Sequence, residues 1–276
     1  MSDAPDPVAA DLALKARHRA VWAMGDYPSV ASHVVPENGA ELVRECGVRQ
    51  GDRVLDIAAG AGNAAIPAAL AGADVVASDL TPELLEVGQH VATVRGAHLE
   101  WREADAEHLP FADGEFDVVM SCFGIMFAPH HQAAADEMLR VCRPGGTVGL
   151  TNWTPQGFIG RMFATMKPYA PPPPPGSQPP PLWGDEEYVY GLLGDRVTDV
   201  DSRRATVRVD AFPDRGDFRT FFKACYGPTI AVYRSLGDDE DRAAALDGEL
   251  DALAEEHTRD GVMEWEYLLL TAHRTG

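Results

Sequence analysis

The stretch that decides the fold is residues 54–63, which read VLDIAAGAGN. Residues 53–57 form a short, mostly apolar run that predicts a buried strand, and Gly60 and Gly62 follow it at close spacing. Closely spaced glycines let the backbone approach a ligand, and the N-terminus of the following helix offers unpaired N–H groups and a favourable dipole. The pattern therefore predicts a strand, a nucleotide-binding turn and a helix.

A carboxylate stands at the end of the next predicted strand. Asp79 lies seventeen residues beyond Gly62, where it can accept hydrogen bonds from both hydroxyls of a ribose. The spacing Gly60-x-Gly62-x-x-Ala65 also satisfies a loose dinucleotide fingerprint. An NAD(P)-dependent oxidoreductase is therefore an open alternative at this point.

Strands and helices alternate on both sides of this turn. The predicted strands cover residues 53–57, 75–78, 99–103, 116–122, 147–152, 205–212 and 263–274. The predicted helices cover residues 8–23, 36–46, 64–71, 82–94, 132–142, 217–236 and 239–257. In the middle of the chain this alternation predicts an α/β fold with a parallel sheet covered on both faces.

Three further segments accompany the glycine turn in a fixed order. Asp56 ends the first strand, residues 103–111 (EADAEHLPF) follow the third, and residues 139–146 (LRVCRPGG) lead into the fifth. Together they resemble the class I S-adenosylmethionine-dependent methyltransferases, especially the branch that includes ubiquinone and menaquinone biosynthesis enzymes. The resemblance covers about residues 40–153. It implies a doubly wound, Rossmann-like sheet of seven strands, mostly parallel, with an antiparallel last strand.

The resemblance also implies a cofactor, S-adenosylmethionine, with S-adenosylhomocysteine as product. Ten residues would contact it: Tyr27, Asp56, Ala58, Gly60, Gly62, Asp79, Leu80, Asp105, Ala106 and Ser121. Asp56 and the turn would surround the methionine part, and Asp79 would hold the ribose. Ala58 departs from the family pattern, in which glycine is commonest, and its methyl group would narrow the turn.

The remaining members of this set would bind both ends of the cofactor. Leu80 would pack beside the adenine, Asp105 would receive its amino group, and the Ala106 backbone would meet the ring edge. Ser121 would offer a backbone carbonyl near the methionine ammonium. Tyr27 would place its hydroxyl on the cofactor carboxylate, although a tyrosine is as often a packing residue.

No residue is assigned a catalytic role. A sulfonium donor is already activated by its charge, so alignment and desolvation of the acceptor can supply much of the rate. His33, His130 and His131 are candidate general bases, but surface histidines on loops are commoner.

A non-catalytic module that binds S-adenosylmethionine is a further alternative to an enzyme. A lid with several aromatic side chains over an open pocket would favour an enzyme.

Several apolar side chains are candidates either for the acceptor site or for the core. They are Phe123, Met126 and Phe127 after the fourth strand, and Trp153, Phe158, Met162 and Phe163 after the fifth. The acceptor itself, and whether its oxygen, nitrogen, carbon or sulfur is methylated, cannot be inferred from these residues.

Composition narrows the class of partner. The formal net charge of −20 predicts no binding to nucleic acid or to an anionic membrane surface. The four cysteines show no metal-ligand or redox spacing, and no metal is predicted. The sequence shows neither a signal-peptide pattern nor an apolar run long enough to span a bilayer, so we expect no membrane insertion and a cytoplasmic location. The family resemblance implies a small-molecule substrate.

Four regions are expected along the chain. They are a helical N-terminal cap at 1–50, a cofactor-binding core at 51–153, a lid with a Pro-rich connector at 154–202, and the last two strands with a helical insertion at 203–276. Residues 171–175 and 179–181 are all proline, which favours extended geometry. A stiff connector and a docking site for a proline-recognising partner are both compatible with this composition.

Overall fold

The computed structural model describes residues 7–174, 176–214 and 216–276. Its strands are β1 (Arg53–Ile57), β2 (Asp74–Asp79), β3 (Glu100–Glu103), β4 (Phe116–Cys122), β5 (Cys142–Trp153), β6 (Val197–Val209), β7 (Thr258–Arg259) and β8 (Val262–Arg274). Its α-helices are α1 (Pro7–Trp22), α2 (Tyr27–Val34), α3 (Asn38–Glu45), α4 (Ala65–Leu70), α5 (Pro82–Arg95), α6 (His131–Val141), α7 (Phe158–Met166), α8 (Glu186–Leu193), α9 (Asp217–Cys225), α10 (Gly227–Leu236) and α11 (Glu240–His257).

One sheet holds all these strands, in the order β3-β2-β1-β4-β5-β8-β6, with the two-residue β7 paired to β8. The strands β1 to β5 are parallel to their neighbours, whereas β8 is antiparallel to both β5 and β6. The α/β fold predicted from the sequence, with a mostly parallel sheet and an antiparallel last strand, is confirmed.

The centre of the sheet positions the glycine turn. β1 pairs with β2 on one side and with β4 on the other, so the chain runs outward from β1 through β2 to β3 and then returns to the opposite side of β1 for β4. In such sheets a crevice opens beyond the carboxyl ends of the strands at this switch point. Val54, Leu55 and Ile57 are completely buried, which fixes β1 rigidly beneath the crevice.

Aromatic packing joins the last strands to the C-terminal helices. Trp265 on β8 is completely buried and stacks on Phe158 of α7, with ring centroids 5.0 Å apart. It also meets Phe218 and Phe222 of α9 edge-on, at 5.9 and 5.8 Å. These contacts pack α7 and α9 against β8.

Several elements differ from the sequence predictions: α8 and β7 were not predicted, and β5 begins five residues before the predicted strand. α2 occupies residues that the sequence analysis left between two helices, and Asp26 caps it by accepting a hydrogen bond from the Ser29 N–H at 3.2 Å. β6 begins eight residues before the predicted strand because its first half is a mostly exposed, polar edge without hydrophobic alternation. The helix predicted at 217–236 is divided at Tyr226 into α9 and α10.

Among the described helices, none combines the length and the apolar character needed to cross a bilayer.

Candidate functional site

The turn after β1 is built from backbone in the left-handed region. Ala58, Gly60 and Gly62 have φ values of 53°, 55° and 87°. A left-handed conformation is free for glycine but strained for alanine, so Ala58 is held there by its surroundings. Gly124 leaves room for the Ala58 carbonyl group, because a Cβ atom added to Gly124 would lie 2.2 Å from the Ala58 carbonyl oxygen.

Asp79 ties this turn to the end of β2. Its Oδ2 accepts a hydrogen bond from the Gly60 N–H at 2.8 Å, and its Oδ1 accepts one from the Thr81 N–H at 2.8 Å. Burial raises the pKa of the Asp79 carboxyl above its ordinary value, and the backbone hydrogen bonds only partly offset this. The carboxylate thus lies at the turn with its oxygens partly satisfied by backbone donors.

Asp56 lies behind the turn. Its Oδ2 accepts a hydrogen bond from the Ala65 N–H at 2.9 Å, while its Oδ1 has no hydrogen-bond partner among the described residues. Burial raises the pKa of this carboxyl to about 8. No described Lys, Arg or His side chain forms an ion pair with Asp56 or Asp79, so a positively charged ligand beside them would favour the ionised form of both carboxyls.

Asp105 belongs to a charged cluster that joins the core to α1. The Lys15 ammonium donates to Asp105 Oδ2 at 2.5 Å and to Glu107 Oε2 at 2.6 Å. Burial acts to raise the pKa of Asp105, but the hydrogen bonds from Lys15 and the Glu107 N–H, together with the charge of Lys15, outweigh it and the pKa is lowered. Glu107 also accepts a hydrogen bond from the His130 N–H at 2.7 Å. Lys15 is therefore the cation that balances two carboxylates.

Ser121 and Tyr27 make contacts that the sequence did not reveal. The Ser121 hydroxyl donates to the Ile57 carbonyl at 2.7 Å and accepts from the Ile125 N–H at 2.9 Å, so it joins the ends of β1 and β4. The Tyr27 hydroxyl accepts a hydrogen bond from the Gly227 N–H at 3.1 Å and keeps its own proton available. Burial raises the pKa of Tyr27 well above its ordinary value, so that proton stays bound.

A cavity of about 690 Å³ opens above the turn. Eight of the ten predicted cofactor residues line it: Tyr27, Ala58, Gly60, Gly62, Asp79, Leu80, Asp105 and Ala106. Asp56 and Ser121 are not on its surface, because both are buried behind the turn. They can support the wall, or reach a ligand through the backbone.

Aromatic side chains line the rest of the cavity. We call this surface the aromatic wall; it consists of Trp22, Phe123, Phe127, Trp153, Phe222, Tyr226 and Trp265. Phe123 stacks on Trp153 with ring centroids 4.0 Å apart, and Trp22 meets Phe127 edge-on at 4.5 Å. An apolar ligand half enclosed by such rings would be shielded from water.

Only part of the aromatic wall was predicted from the sequence. Phe123, Phe127 and Trp153 were candidates, whereas Trp22, Phe222, Tyr226 and Trp265 were missed because they lie far from the glycine turn in the sequence. Of the other candidates, Phe163 is partly buried, and the fully core-packed ones are Met126, Phe158 and Met162.

The three candidate bases lie away from the cavity surface. His33 is held by the Ser29 carbonyl, His130 by Glu107, and His131 is completely buried against the Tyr188 hydroxyl at 3.0 Å. Instead, His18 of α1 lines the cavity, and burial lowers its pKa below the ordinary value. The position of His18 on the cavity surface could not be predicted from the sequence, because α1 contains no recognisable motif.

Comparison with known proteins matches residues 55–150 to the model of a family described as a methyltransferase domain. An uncharacterised protein of Mycobacterium tuberculosis is 52% identical over 268 residues, which is 97% of this chain and 98% of the relative. The ubiquinone/menaquinone biosynthesis C-methyltransferase UbiE of Pseudomonas putida is 45% identical over 105 residues, 36% of this chain and 41% of that protein. The chain belongs to the S-adenosylmethionine-dependent methyltransferases.

The solved structure of the YcgJ protein of Bacillus subtilis shares the fold of this methyltransferase. It superposes with a TM-score of 0.60 at 17% identity and covers 87% of this chain and 99% of its own. The cofactor of this enzyme is S-adenosylmethionine, and nothing in these similarities favours the nicotinamide-dependent alternative.

The residues of the methyltransferase fit this cofactor electrostatically. S-adenosylmethionine carries a sulfonium and an ammonium, and the cavity turn is backed by two buried carboxylates without a cationic side chain beside them. A bound cation lowers the free-energy cost of ionising such groups.

The open cavity and its aromatic wall are the features that favour an enzyme over a non-catalytic binding module.

Proposed function

We propose that this enzyme transfers the methyl group of S-adenosylmethionine to an apolar small molecule held against the aromatic wall. One observation carries the proposal: a single cavity joins the glycine turn and Asp79 to that wall. A donor at the turn and an acceptor at the wall would share one enclosed space, as an in-line displacement requires.

In this proposal the eight predicted residues on the cavity surface bind the cofactor in the roles that the family resemblance implies, and Asp56 and Ser121 act from behind the turn. Asp79 lies on the cavity surface with each oxygen holding one backbone N–H, which leaves lone pairs for the ribose hydroxyls. The Asp105 carboxylate, kept ionised by Lys15, is an acceptor for the adenine amino group. Asp56 would balance the positive end of the cofactor from behind the turn.

The bound cofactor supplies an activated methyl group on a positively charged sulfur. The protein aligns the acceptor and excludes water. The stacked pair of Phe123 and Trp153 presents a flat apolar surface beside Gly124, at the end of β4. Phe222 and Tyr226 close the opposite side from α9 and the residue that follows it. An acceptor fixed between these surfaces loses translational freedom before the reaction, which lowers the barrier.

The similarity to a quinone methyltransferase supports the cofactor but not a particular acceptor. The name of the Pseudomonas putida relative places that protein in quinone biosynthesis, with methylation at carbon. Its likeness to this chain covers only 36% of it, so it supports the cofactor chemistry and does not fix the acceptor atom.

The division into regions is likewise a proposal. We infer that residues 51–153 hold the cofactor, and that the described residues of 1–50 and 154–202 cover the cavity together with those of the insertion in 203–276. The contributions of Trp22, Ile159 and Phe222 to the cavity lining support this division. Four free cysteines suit a reducing compartment, which supports a cytoplasmic location.

Isothermal titration tests the cofactor half of the proposal. The purified protein is titrated with S-adenosylmethionine, S-adenosylhomocysteine and NADPH, and the titrations are repeated on Asp79→Ala. Loss of a charged hydrogen-bond acceptor costs about 1.5–3 kcal/mol, so we expect affinity for the first two to fall at least tenfold. Asp74→Ala, at the exposed start of the same strand, is the matched control and should bind as the wild type does.

Acceptor transfer is then measured by following S-adenosylhomocysteine formation with a panel of phenols, carboxylates, thiols and amines. Turnover of an apolar member, reduced at least tenfold by Trp153→Ala at unchanged cofactor affinity, supports the proposal. Binding of NADPH alone would refute it, and turnover restricted to highly charged acceptors would refute the role of the aromatic wall.

A further inference from the structure

A second cavity, of about 370 Å³, lies between α1 and the proline segment at 171–174. We propose that it receives a hydrocarbon tail of the methyl acceptor, while the reacting head of the same molecule lies against the aromatic wall. This inference rests on the proposed function, because it specifies the class of acceptor. We call the space the tail cavity; its walls are Leu14, Arg17, His18, Val21, Trp22, Phe127, Phe163, Pro171–Pro174, Pro180 and Pro228.

The walls of the tail cavity suit a hydrocarbon. Only Arg17 and His18 among its lining side chains are polar. Arg17 is exposed, so its guanidinium can stay in water. His18 is held largely uncharged, since burial lowers its pKa. An ionic ligand would find no buried counter-charge on these walls, whereas an alkyl or alkenyl chain would gain from leaving water.

The tail cavity adjoins the main cavity. Trp22, Phe127 and His18 line both of them. Trp22 and Phe127 are in edge-on contact, with ring centroids 4.5 Å apart, and together with His18 they form a wall that the two spaces share. A molecule packed against this wall in the main cavity is therefore adjacent to the tail cavity, and a chain attached to it reaches that cavity when the two rings move apart.

The proline segment forms the outer wall for a physical reason. Proline has no backbone N–H, so a wall of consecutive prolines presents no donor that hydrocarbon would leave unsatisfied. The segment is held beside Phe127 by the hydrogen bond from the Gln178 N–H to the Pro129 carbonyl, at 3.0 Å. The Ser177 N–H donates to the Pro174 carbonyl at 3.2 Å. These bonds hold the proline segment in place as the wall of the tail cavity that faces α1.

The size of the cavity sets the expected chain length. Its volume is about twelve times the ~30 Å³ that one water molecule occupies in the liquid, and a methylene group is of similar size. Each methylene moved from water into such a space contributes about 0.8 kcal/mol, or about fourfold in affinity. Affinity should therefore rise along a homologous series and level off when the chain fills the cavity.

A series of para-alkylphenols tests this expectation without knowledge of the natural acceptor. Binding of para-cresol, para-butylphenol and para-octylphenol is measured by calorimetry on the protein saturated with S-adenosylhomocysteine, and again on the free protein. For the wild type we expect para-octylphenol to bind at least tenfold more tightly than para-butylphenol. A cofactor that fails to bind would refute the proposed function, while the series on free protein would still report on the tail cavity.

Two substitutions in the cavity and one control localise the effect. Val21→Trp fills the tail cavity, and we expect it to abolish the gain from butyl to octyl while para-cresol binds within twofold of wild type. Val21→Ala enlarges the cavity and should preserve the gain. Leu12→Trp, on the same helix at a position that is 65% exposed, adds the same side chain outside the cavity and should behave as the wild type.

Circular dichroism and the affinity for S-adenosylhomocysteine establish that each variant is folded. Absence of binding along the whole series, a wild-type series without chain-length dependence, or an equal gain in Val21→Trp and Leu12→Trp would each overturn the assignment of the tail cavity.

Discussion

Asp56 and Asp79 are buried carboxyl groups on adjacent strands, and the negative charge of Asp79 adds to the effect of burial in raising the pKa of Asp56. Without a cationic ligand, Asp56 is mostly protonated at neutral pH, because burial raises its pKa to about 8 from a reference value of 3.8. The folded protein then holds a proton that the unfolded chain releases. In the absence of cofactor, Asp56 therefore makes the free energy of unfolding fall as the pH rises from about 4 to 8.

Cofactor binding should expel this proton. The positive charges of S-adenosylmethionine lower the pKa of Asp56, so at pH 7 binding releases up to about 0.9 proton from this carboxyl. Calorimetric titration in buffers with different ionisation enthalpies measures the proton count. Asp56→Asn, which keeps the shape of the side chain, should lower the count by nearly the same amount. An unchanged count in Asp56→Asn would show that another group titrates.

Individual residues of the turn could be predicted because their chemistry is local in sequence. Gly60, Gly62 and Asp79 are fixed by one strand, one turn and the next strand, and all three lie on the cavity surface. The buried position of Asp56 could not be predicted, because it depends on how β4 and α4 pack against the end of β1. The same applies to the link between Ser121 and Ile57.

At the scale of secondary structure, charged groups join α1 to the cofactor-binding core, in addition to the apolar contacts of its Leu14 and Trp22. Lys15 bonds to Asp105 and Glu107, and only 8% of its side chain is exposed, whereas the ion pairs of Arg19 with Glu83 and Glu103 are exposed. A buried ion pair is strongly destabilised when one partner is removed, but an exposed pair contributes little. The closure of the cavity by α1 should therefore depend on Lys15.

Substitution of Lys15 by methionine tests this dependence. Lys15→Met keeps the length of the side chain but leaves two carboxylates without their cation, and we expect a loss of about 3 kcal/mol in the free energy of unfolding, with faster tryptic cleavage at Arg17. Affinity for S-adenosylmethionine should fall at least tenfold. Arg19→Met is the control and should cost less than about 1 kcal/mol. Equal effects of the two substitutions would contradict this account of α1.

The elements themselves were predictable where hydrophobic periodicity or a cap marks them. β4 and α5 lie where their patterns place them, to within one residue. The first half of β6 was not predictable, because an edge strand exposed on both faces shows no alternation. α2 was obscured by the prolines and glycine around it, although Asp26 and Pro28 are typical of a helix start.

At the scale of the whole molecule, the fold should lose stability in mild acid through His131. This histidine is completely buried at the start of α6, and burial lowers its pKa to about 4. Between pH 6.5 and 4 the unfolded state therefore binds more protons than the folded state, and the free energy of unfolding falls as the pH falls. From pH 7 to pH 5 this one group accounts for about 2 kcal/mol.

Denaturant unfolding at several pH values measures this contribution. His131→Gln has no titrating ring, and its stability should fall about 2 kcal/mol less than that of the wild type between pH 7 and pH 5. His98→Gln, at an exposed position, is the control and should follow the wild type. If both variants lose stability in acid as the wild type does, another group is responsible.

The complete site could not be predicted from sequence because long-range packing assembles it. Trp22, Phe222 and Trp265 come from the two ends of the chain, and no local pattern marks them as neighbours. They meet because the Asp26 N–H donates to the Cys225 carbonyl at 2.8 Å and Tyr27 accepts from Gly227. These bonds join the N-terminal helices to the C-terminal ones above the sheet.

The two halves of the main cavity are therefore formed by different parts of the chain. The donor half is encoded largely by the contiguous residues 58–106, whereas most of the aromatic wall is encoded by segments near the two ends. Mutations in those outer segments can reshape the acceptor side without altering a backbone contact of the glycine turn. New acceptor preferences can thus evolve by substitution in the outer segments, while selection on the donor half stays unchanged.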